Sequence, residues 1–236
     1  MLHRSLEQAR VGLSGALASA ESGADRLRAA ARWIFAEPNR CFPGEHWTVR
    51  CTRKSFADGP VAGHRECVLI RRETPADIET IRDAHASAFA ASGAVPAEAG
   101  LVDALRADDA WLPELSLVAV EGAAVIGHVV CSRAHVDAVP VLALGPMGVL
   151  SERQRAGVGS ALMHTVLGAA DALAEPLVAL LGHTAYYPRF GFRPSAEYGI
   201  APPDPQWGSH FQVRTLTAYE PTMRGQFAYA APFDEL

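Results

Sequence analysis

Apolar residues recur with different periods along this chain, and the change of period divides it. From Leu2 to about Phe35 they fall at Leu6, Leu13, Leu17, Ala20, Ala24, Leu27 and Ile34, a roughly helical spacing with Arg and Glu on the other face. This predicts an amphipathic helix, interrupted near Gly23. Beyond Phe35 no period is sustained, and Pro38, Pro43, Gly44, Gly59, Pro60 and Gly63 act as punctuation. Residues 1–66 are therefore read as an N-terminal extension, partly helical or disordered.

From residue 67 to residue 236 the pattern predicts one domain that includes the C-terminal tail. "CVLIRR" (Cys67 to Arg72) reads as a short strand. Thr74-Pro75-Ala76-Asp77 reads as a helix start, with Thr74 at the cap and Pro75 at the first helical position, and the helix runs through Ile78, Ile81, His85 and Phe89. A second helix carries Leu101, Val102 and Leu105. "LSLVAVEGAAVIGHVVCSRAHV" predicts two antiparallel strands turning at Glu121-Gly122. Next come a strand in "VPVLALGPMGVL", a helix in "VGSALMHTVLGAADAL" and a strand in "PLVALLG". The aromatic segment "TAYYPRFGF" and a strand in "HFQVRTLT" follow. The tail "GQFAYAAPFDEL" has enough apolar residues to dock on the domain, and it or a final strand could also serve dimerisation.

Composition narrows the function classes. Of 236 residues 49% are hydrophobic, enough for a substantial core, and the formal net charge is −5, against the basic patch that a nucleic-acid partner requires. No apolar run reaches the roughly 18 residues of a membrane span. Cys41, Cys51, Cys67 and Cys131 form no C-x-x-C pair or zinc-finger spacing and are read as reduced thiols, so a cytoplasmic location is expected. His128, His135 and His183 have no metal-ligand spacing, and no metal is expected.

Gln154-Arg155-Ala156-Gly157-Val158-Gly159-Ser160 stands between a strand and a helix. A dinucleotide fingerprint is excluded, because the third glycine of G-x-G-x-x-G is missing and no acid follows about twenty residues on. The loop also lacks the Gly-Lys-Ser/Thr ending of a nucleotide triphosphate site. Amides at a helix N-terminus nevertheless attract phosphate oxygens, and small residues let those amides come close. Just upstream, Gly145-Pro146 interrupts an apolar strand, where proline removes a ladder donor. Strands that part there would leave a slot for an extended, amide-bearing ligand ending in a pyrophosphate.

Together, Gln154-Arg155-Ala156-Gly157-Val158-Gly159 and Tyr187-Pro188-Arg189-Phe190-Gly191-Phe192 resemble the Q/R-x-x-G-x-G/A and Y-x-x-x-G-F segments of the GCN5-related N-acetyltransferase (GNAT) superfamily, in the same order. The resemblance covers about residues 67–220. "LGPMGV", "QRAGVGSAL" and "YYPRFGF" together look like a bacterial subgroup of predicted acetyltransferases. The resemblance implies a mixed α/β acyl-CoA N-acyltransferase fold, its central, largely antiparallel sheet split at the cofactor site and flanked by helices. It also implies transfer of acetyl from acetyl-CoA to a primary amine by direct attack in a ternary complex. The pyrophosphate would lie on the amides of Arg155, Ala156, Gly157, Val158, Gly159 and Ser160, beside Gln154. The backbone of Met147, Gly148 and Val149 would pair with the pantetheine arm and polarise the thioester carbonyl.

Tyr187 aligns with the tyrosine that protonates the departing thiolate. For the base, His128 lies in a strand that could face the slot, with Glu73, Glu152 and His183 as further candidates. The acceptor is expected to be an amine-bearing small molecule or protein, selected by the two helices between Pro75 and Asp108, by the hairpin after Glu121 and by the loop "APPDPQWGSH". No Asn precedes Tyr187 where many members place one toward pantetheine. A non-catalytic acyl-CoA-binding sensor or interaction module is the alternative.

Overall fold

The structure, a computed structural model, describes residues 68–89 and 97–235. The N-terminal helix and the extension read over residues 1–66, with Cys41, Cys51 and Cys67, lie outside the described residues. Nine strands form one sheet system: β1 (Val68–Arg72), β2 (Ser116–Glu121), β3 (Ala124–Val136), β4 (Val139–Val149), β5 (Leu177–Leu181), β6 (Arg193–Pro194), β7 (Ile200–Ala201), β8 (Phe211–Thr215) and β9 (Gly225–Ala228). The main order is β1-β2-β3-β4-β5-β8-β6, while β9 pairs with β3 and β7. Every pairing on the main path is antiparallel except β4 with β5. The expected mixed α/β fold with a largely antiparallel sheet is therefore observed.

Among the described residues three α-helices cover the sheet: α1 (Ile78–Phe89), α2 (Ala97–Arg106) and α3 (Val158–Ala172). Helix α1 begins as the Thr74-Pro75 signal predicts, through a short 3-10 turn over Pro75–Asp77. The Asp77 carboxylate accepts from the Thr74 amide at 2.7 Å and from both terminal nitrogens of Arg71 at 2.7 and 2.9 Å. The entry to α1 is thereby fastened to β1.

Strand β2 shows how both sheet faces are filled. Leu117 and Ala119 point into a cluster with Leu162, Met163, Val166 and Leu167 of α3. Their alternating neighbours Val118 and Val120 meet Ile81 of α1 and Val102 of α2. A strand buried on both faces reads as an unbroken apolar run, as β2 does. Each fully buried aliphatic side chain here contributes about 1.5–3 kcal/mol.

Local patterning did not announce three short strands, β6, β7 and β9. Two residues are too few to show alternation, so β6 and β7 exist only through their pairing with β8 and β9. The tail does dock: His135 and Val136 of β3 pair with Ala228 and Phe227, and Phe233 packs on Leu101 and Leu105 of α2. Cys131 is buried within the core, as its strand context suggested, and burial pushes its thiol pKa up.

Candidate active site

Strands β4 and β5 pair in parallel only at Leu142 with Val178 and Ala143 with Ala179. Beyond these two pairs the strands part. On the other side β4 continues to pair with β3 as far as Val149, with a register shift where Gly145 and Pro146 are accommodated. The predicted disruption at Gly145-Pro146 is thus the point from which a slot opens, with the β4 edge through Met147, Gly148 and Val149 as one bank.

The opposite bank is aromatic. Beyond the end of β5, Gly182 lies so close to the Tyr187 ring that a Cβ there would be 2.2 Å from it, so only glycine permits this seating. Tyr187 packs edge-on to Tyr186 and Phe192 with centroids 5.0 and 5.8 Å away. It borders the same apolar cluster as Met147. Burial, then the neighbouring Tyr186, push the Tyr187 phenol pKa up, so it is a protonated donor at neutral pH.

The floor of the slot is the N-terminus of α3. Ser151 to Gly157 form an exposed loop in which Arg155 and Gly157 take left-handed backbone (φ 63° and 88°). Gly157 caps α3 without any side-chain hydrogen bond, and the Ala161 amide is the one that bonds back to its carbonyl at 3.0 Å. By helix geometry the amides of Val158, Gly159 and Ser160 have no intrahelical acceptor. Nothing lies within 4 Å of where a Gly157 Cβ would stand. Open donors, a positive dipole end and empty space beside the glycine are what a diphosphate requires. Gln154 plays a different part, since its side-chain amide donates to the Val149 carbonyl at 3.1 Å and ties the loop to the end of β4. The Tyr186 hydroxyl reaches the first turn of α3, near Gly159 and Ser160, and the Arg189 guanidinium lies 4.5 Å from the Tyr186 ring.

His128 is placed differently from expectation. It is fully buried between β2 and α1, and both ring nitrogens are engaged, so it does not itself line the slot. Nδ1 lies 2.8 Å from His85 Nε2, and Nε2 lies 2.8 Å from Ser116 Oγ and 3.3 Å from Glu73 Oε2. Ser116 in turn donates to Glu73 Oε2 at 2.5 Å, and Arg106 holds both Glu73 oxygens at 2.7 and 3.0 Å. Burial alone would raise the Glu73 pKa, but hydrogen bonds from His128, Arg106 and Ser116 outweigh it and hold the carboxyl at about 2. Burial depresses the pKa of both histidines.

His85, itself fully buried, carries the network to the face of β4. Its ring abuts Gly148, where a Cβ would be 2.7 Å from Nδ1, and this nitrogen is buried without a hydrogen-bond partner. Sequence reasoning placed His85 on the inward stripe of α1 without giving it a role. A polar residue at a core position was the available signal. Of the other base candidates, Glu152 lies in the exposed loop and His183 beyond β5, both apart from this network.

Comparison with known proteins fits this geometry. Residues 113–194 match the acetyltransferase (GNAT) domain. The uncharacterised N-acetyltransferase YjhQ of Escherichia coli K12 is 34% identical over 164 residues, which span 66% of this chain and 88% of YjhQ. A GNAT family acetyltransferase from Brucella melitensis, solved in complex with acetyl-CoA, is 32% identical with a TM-score of 0.59; the match covers 72% of this chain and 99% of that one. YhbS of Escherichia coli, a GNAT family N-acetyltransferase solved with CoA, is 29% identical with a TM-score of 0.63, covering 70% and 91%. The chain belongs to the GNAT family of acetyltransferases. Among the described residues no group of three or more His, Cys, Asp or Glu side chains could hold a metal, and no helix is long and apolar enough to cross a membrane.

Proposed function

We propose that the protein transfers acetyl from acetyl-CoA to a primary amine by direct attack in a ternary complex. The observation that carries this reading is the parting of β4 from β5 over the uncapped N-terminus of α3. The α3 amides and the Gly157 turn would receive the pyrophosphate. The unpaired β4 edge from Met147 to Val149 would form strand-like bonds to the pantetheine arm. An amide there would also polarise the thioester carbonyl where negative charge develops. Tyr187 would protonate the departing thiolate, a role for which its raised pKa keeps the phenol protonated and neutral.

The test has two parts on the full chain. Calorimetric titration with acetyl-CoA reads the cofactor site. Thiol release is then followed with three primary-amine probes: a peptide with a free α-amine, a lysine-containing peptide with a blocked N-terminus, and a linear polyamine. Binding followed by amine-dependent thiol release upholds the proposal. Binding with no turnover of any probe favours the acyl-CoA-binding module instead, and no binding by the folded chain overturns both.

A further inference from the structure

We infer that His85 is the catalytic base of this site, and that His128, Ser116 and Glu73 are positioning residues that fix its tautomer and carry away its charge. The inference rests on the acetyl-transfer reading above. The argument starts at the far end of the hydrogen-bond chain, at the Glu73 carboxylate. A carboxylate at neutral pH only accepts, so the Ser116 hydroxyl, 2.5 Å from Oε2, donates to it. With its one proton so used, Ser116 Oγ must accept from His128 Nε2 at 2.8 Å. Nε2 carries the proton whether Ser116 or the Glu73 oxygen at 3.3 Å receives it. A neutral His128 then has a lone pair on Nδ1, and His85 Nε2 donates to it across 2.8 Å. It follows that His85 Nδ1 is bare. Carboxylate, hydroxyl and two imidazoles therefore leave an unprotonated nitrogen at the end of the chain, and that nitrogen abuts Gly148, on the bank of β4 where the thioester would lie.

A structural role alone explains this poorly. A histidine that served only to hold α1 against β3 would have both nitrogens satisfied, because a buried polar atom without a partner costs about 1–3 kcal/mol. Gly148 is the local adaptation: any side chain there would collide with the imidazole, so glycine lets the ring lie directly against β4. The mouth is fixed from the same helix, since Ser151 donates from its hydroxyl to the Ser87 carbonyl at 2.8 Å.

The proton path balances. Nδ1 of His85 takes one proton from the acceptor's ammonium, and His85 passes its own Nε2 proton to His128 Nδ1. The charge comes to rest on His128, where Glu73 stabilises the imidazolium without taking its proton, as carboxylates do in catalytic triads. The neutral amine forms the N–C bond and the C–S bond breaks. The second nitrogen proton, lost as the adduct collapses, replaces the one Tyr187 gives to the thiolate. One proton per turnover remains on the histidine pair and returns to solvent when the site reopens. The charged groups facing the pair are Glu73 from the end of β1, Asp77 from the entry to α1 and Arg106 from α2; the two carboxylates favour the imidazolium and Arg106 opposes it. The same low-dielectric surroundings lower the pKa of a bound ammonium, which narrows the gap between donor and base.

Two experiments on the full chain decide it. Nitrogen NMR of 15N-histidine-labelled protein, assigned with His85→Gln, reads the tautomers without any acceptor. The expected result is His85 protonated at Nε2 and bare at Nδ1 near neutral pH, with Nδ1 responding to acetyl-CoA. A proton on Nδ1 overturns the inference. In the kinetic arm, with the same three amine probes, His85→Gln lowers kcat by about 100-fold or more at neutral pH while acetyl-CoA affinity is kept. The deficit shrinks as pH rises and the free amine becomes neutral by itself. Ser116→Ala, which spares both imidazoles, shows a smaller loss. A loss that is constant with pH, or one matched by lost acetyl-CoA affinity, marks a structural residue and overturns the inference. If the wild type binds acetyl-CoA but acetylates no probe, the acetyl-transfer reading fails while the NMR arm still decides the state of His85.

Discussion

The two sides of the parted sheet are built from opposite materials. On the α3 side the groups that matter are backbone amides, set in an exposed loop with glycine at the turn and no side-chain cap. On the α1 side they are side chains, sealed from water and joined from Glu73 through Ser116 and His128 to His85. A backbone site is encoded by what is missing, since small residues let amides approach a ligand. A buried side-chain site is encoded by what is present, and every donor in it must find its acceptor. The first can be rebuilt by any short loop with the right glycines, whereas the second fails if one member is lost.

The sharpest way to break this comparison is at the loop. Gly157→Trp forces a bulky side chain into left-handed backbone at the helix cap, and acetyl-CoA binding should disappear from calorimetry while circular dichroism shows an unchanged fold. Next in size, Tyr187→Phe removes the proposed acid and keeps the ring packing. Thiol release with an amine should fall by about 100- to 10,000-fold with acetyl-CoA affinity unchanged.

On the sealed side the same kind of deletion should cost stability. Arg106 and Glu73 are 14% and 10% exposed, so Arg106→Ala leaves a buried carboxylate without its cation. Denaturant unfolding should show a loss of about 3–5 kcal/mol, with cofactor affinity little changed. Taken per pH unit, the smallest effect is the pH dependence. Both histidines are held neutral, so the unfolded chain binds more protons than the native one once pH drops below about 6.5. Native stability should then decline with falling pH by up to about 1.4 kcal/mol per pH unit for each histidine. His85→Gln should flatten that decline, and a further loss should set in below about pH 4.5 as Glu73, held at about 2 in the native state, meets its unfolded value.

The same contrast explains what could be read from the chain. The local structure on the α3 side was legible because its parts are contiguous: Gly145-Pro146 marks the parting of the strands, and a dozen residues later Gly157 and Gly159 mark the helix start. Tyr187 was singled out through its motif. The buried network was only half legible. His128 was singled out from its strand, but Glu73, His85 and Ser116 come from three other segments, and nothing local announces that they meet. With both nitrogens of His128 occupied, the unpartnered nitrogen lies one residue further along the chain of hydrogen bonds, on His85 of α1. Pattern also resolved the long strands, whose alternation is sampled over many residues, and missed β6 and β7, which exist only as partners.

The C-terminal segment has a consequence for how the protein is made. Residues Phe227 and Ala228 lie against β3, more than ninety positions upstream, and Phe233 packs on α2. A ribosome delivers the chain from its N-terminus, so β3 and α2 emerge long before the segment that covers them. Until residues 225–235 leave the exit tunnel, the end of β3 exposes an unpaired edge and α2 an uncovered apolar patch, features that invite association with other nascent chains. The interval in which a chaperone is most useful to this protein is therefore set by the delay between the synthesis of β3 and that of residues 225–235.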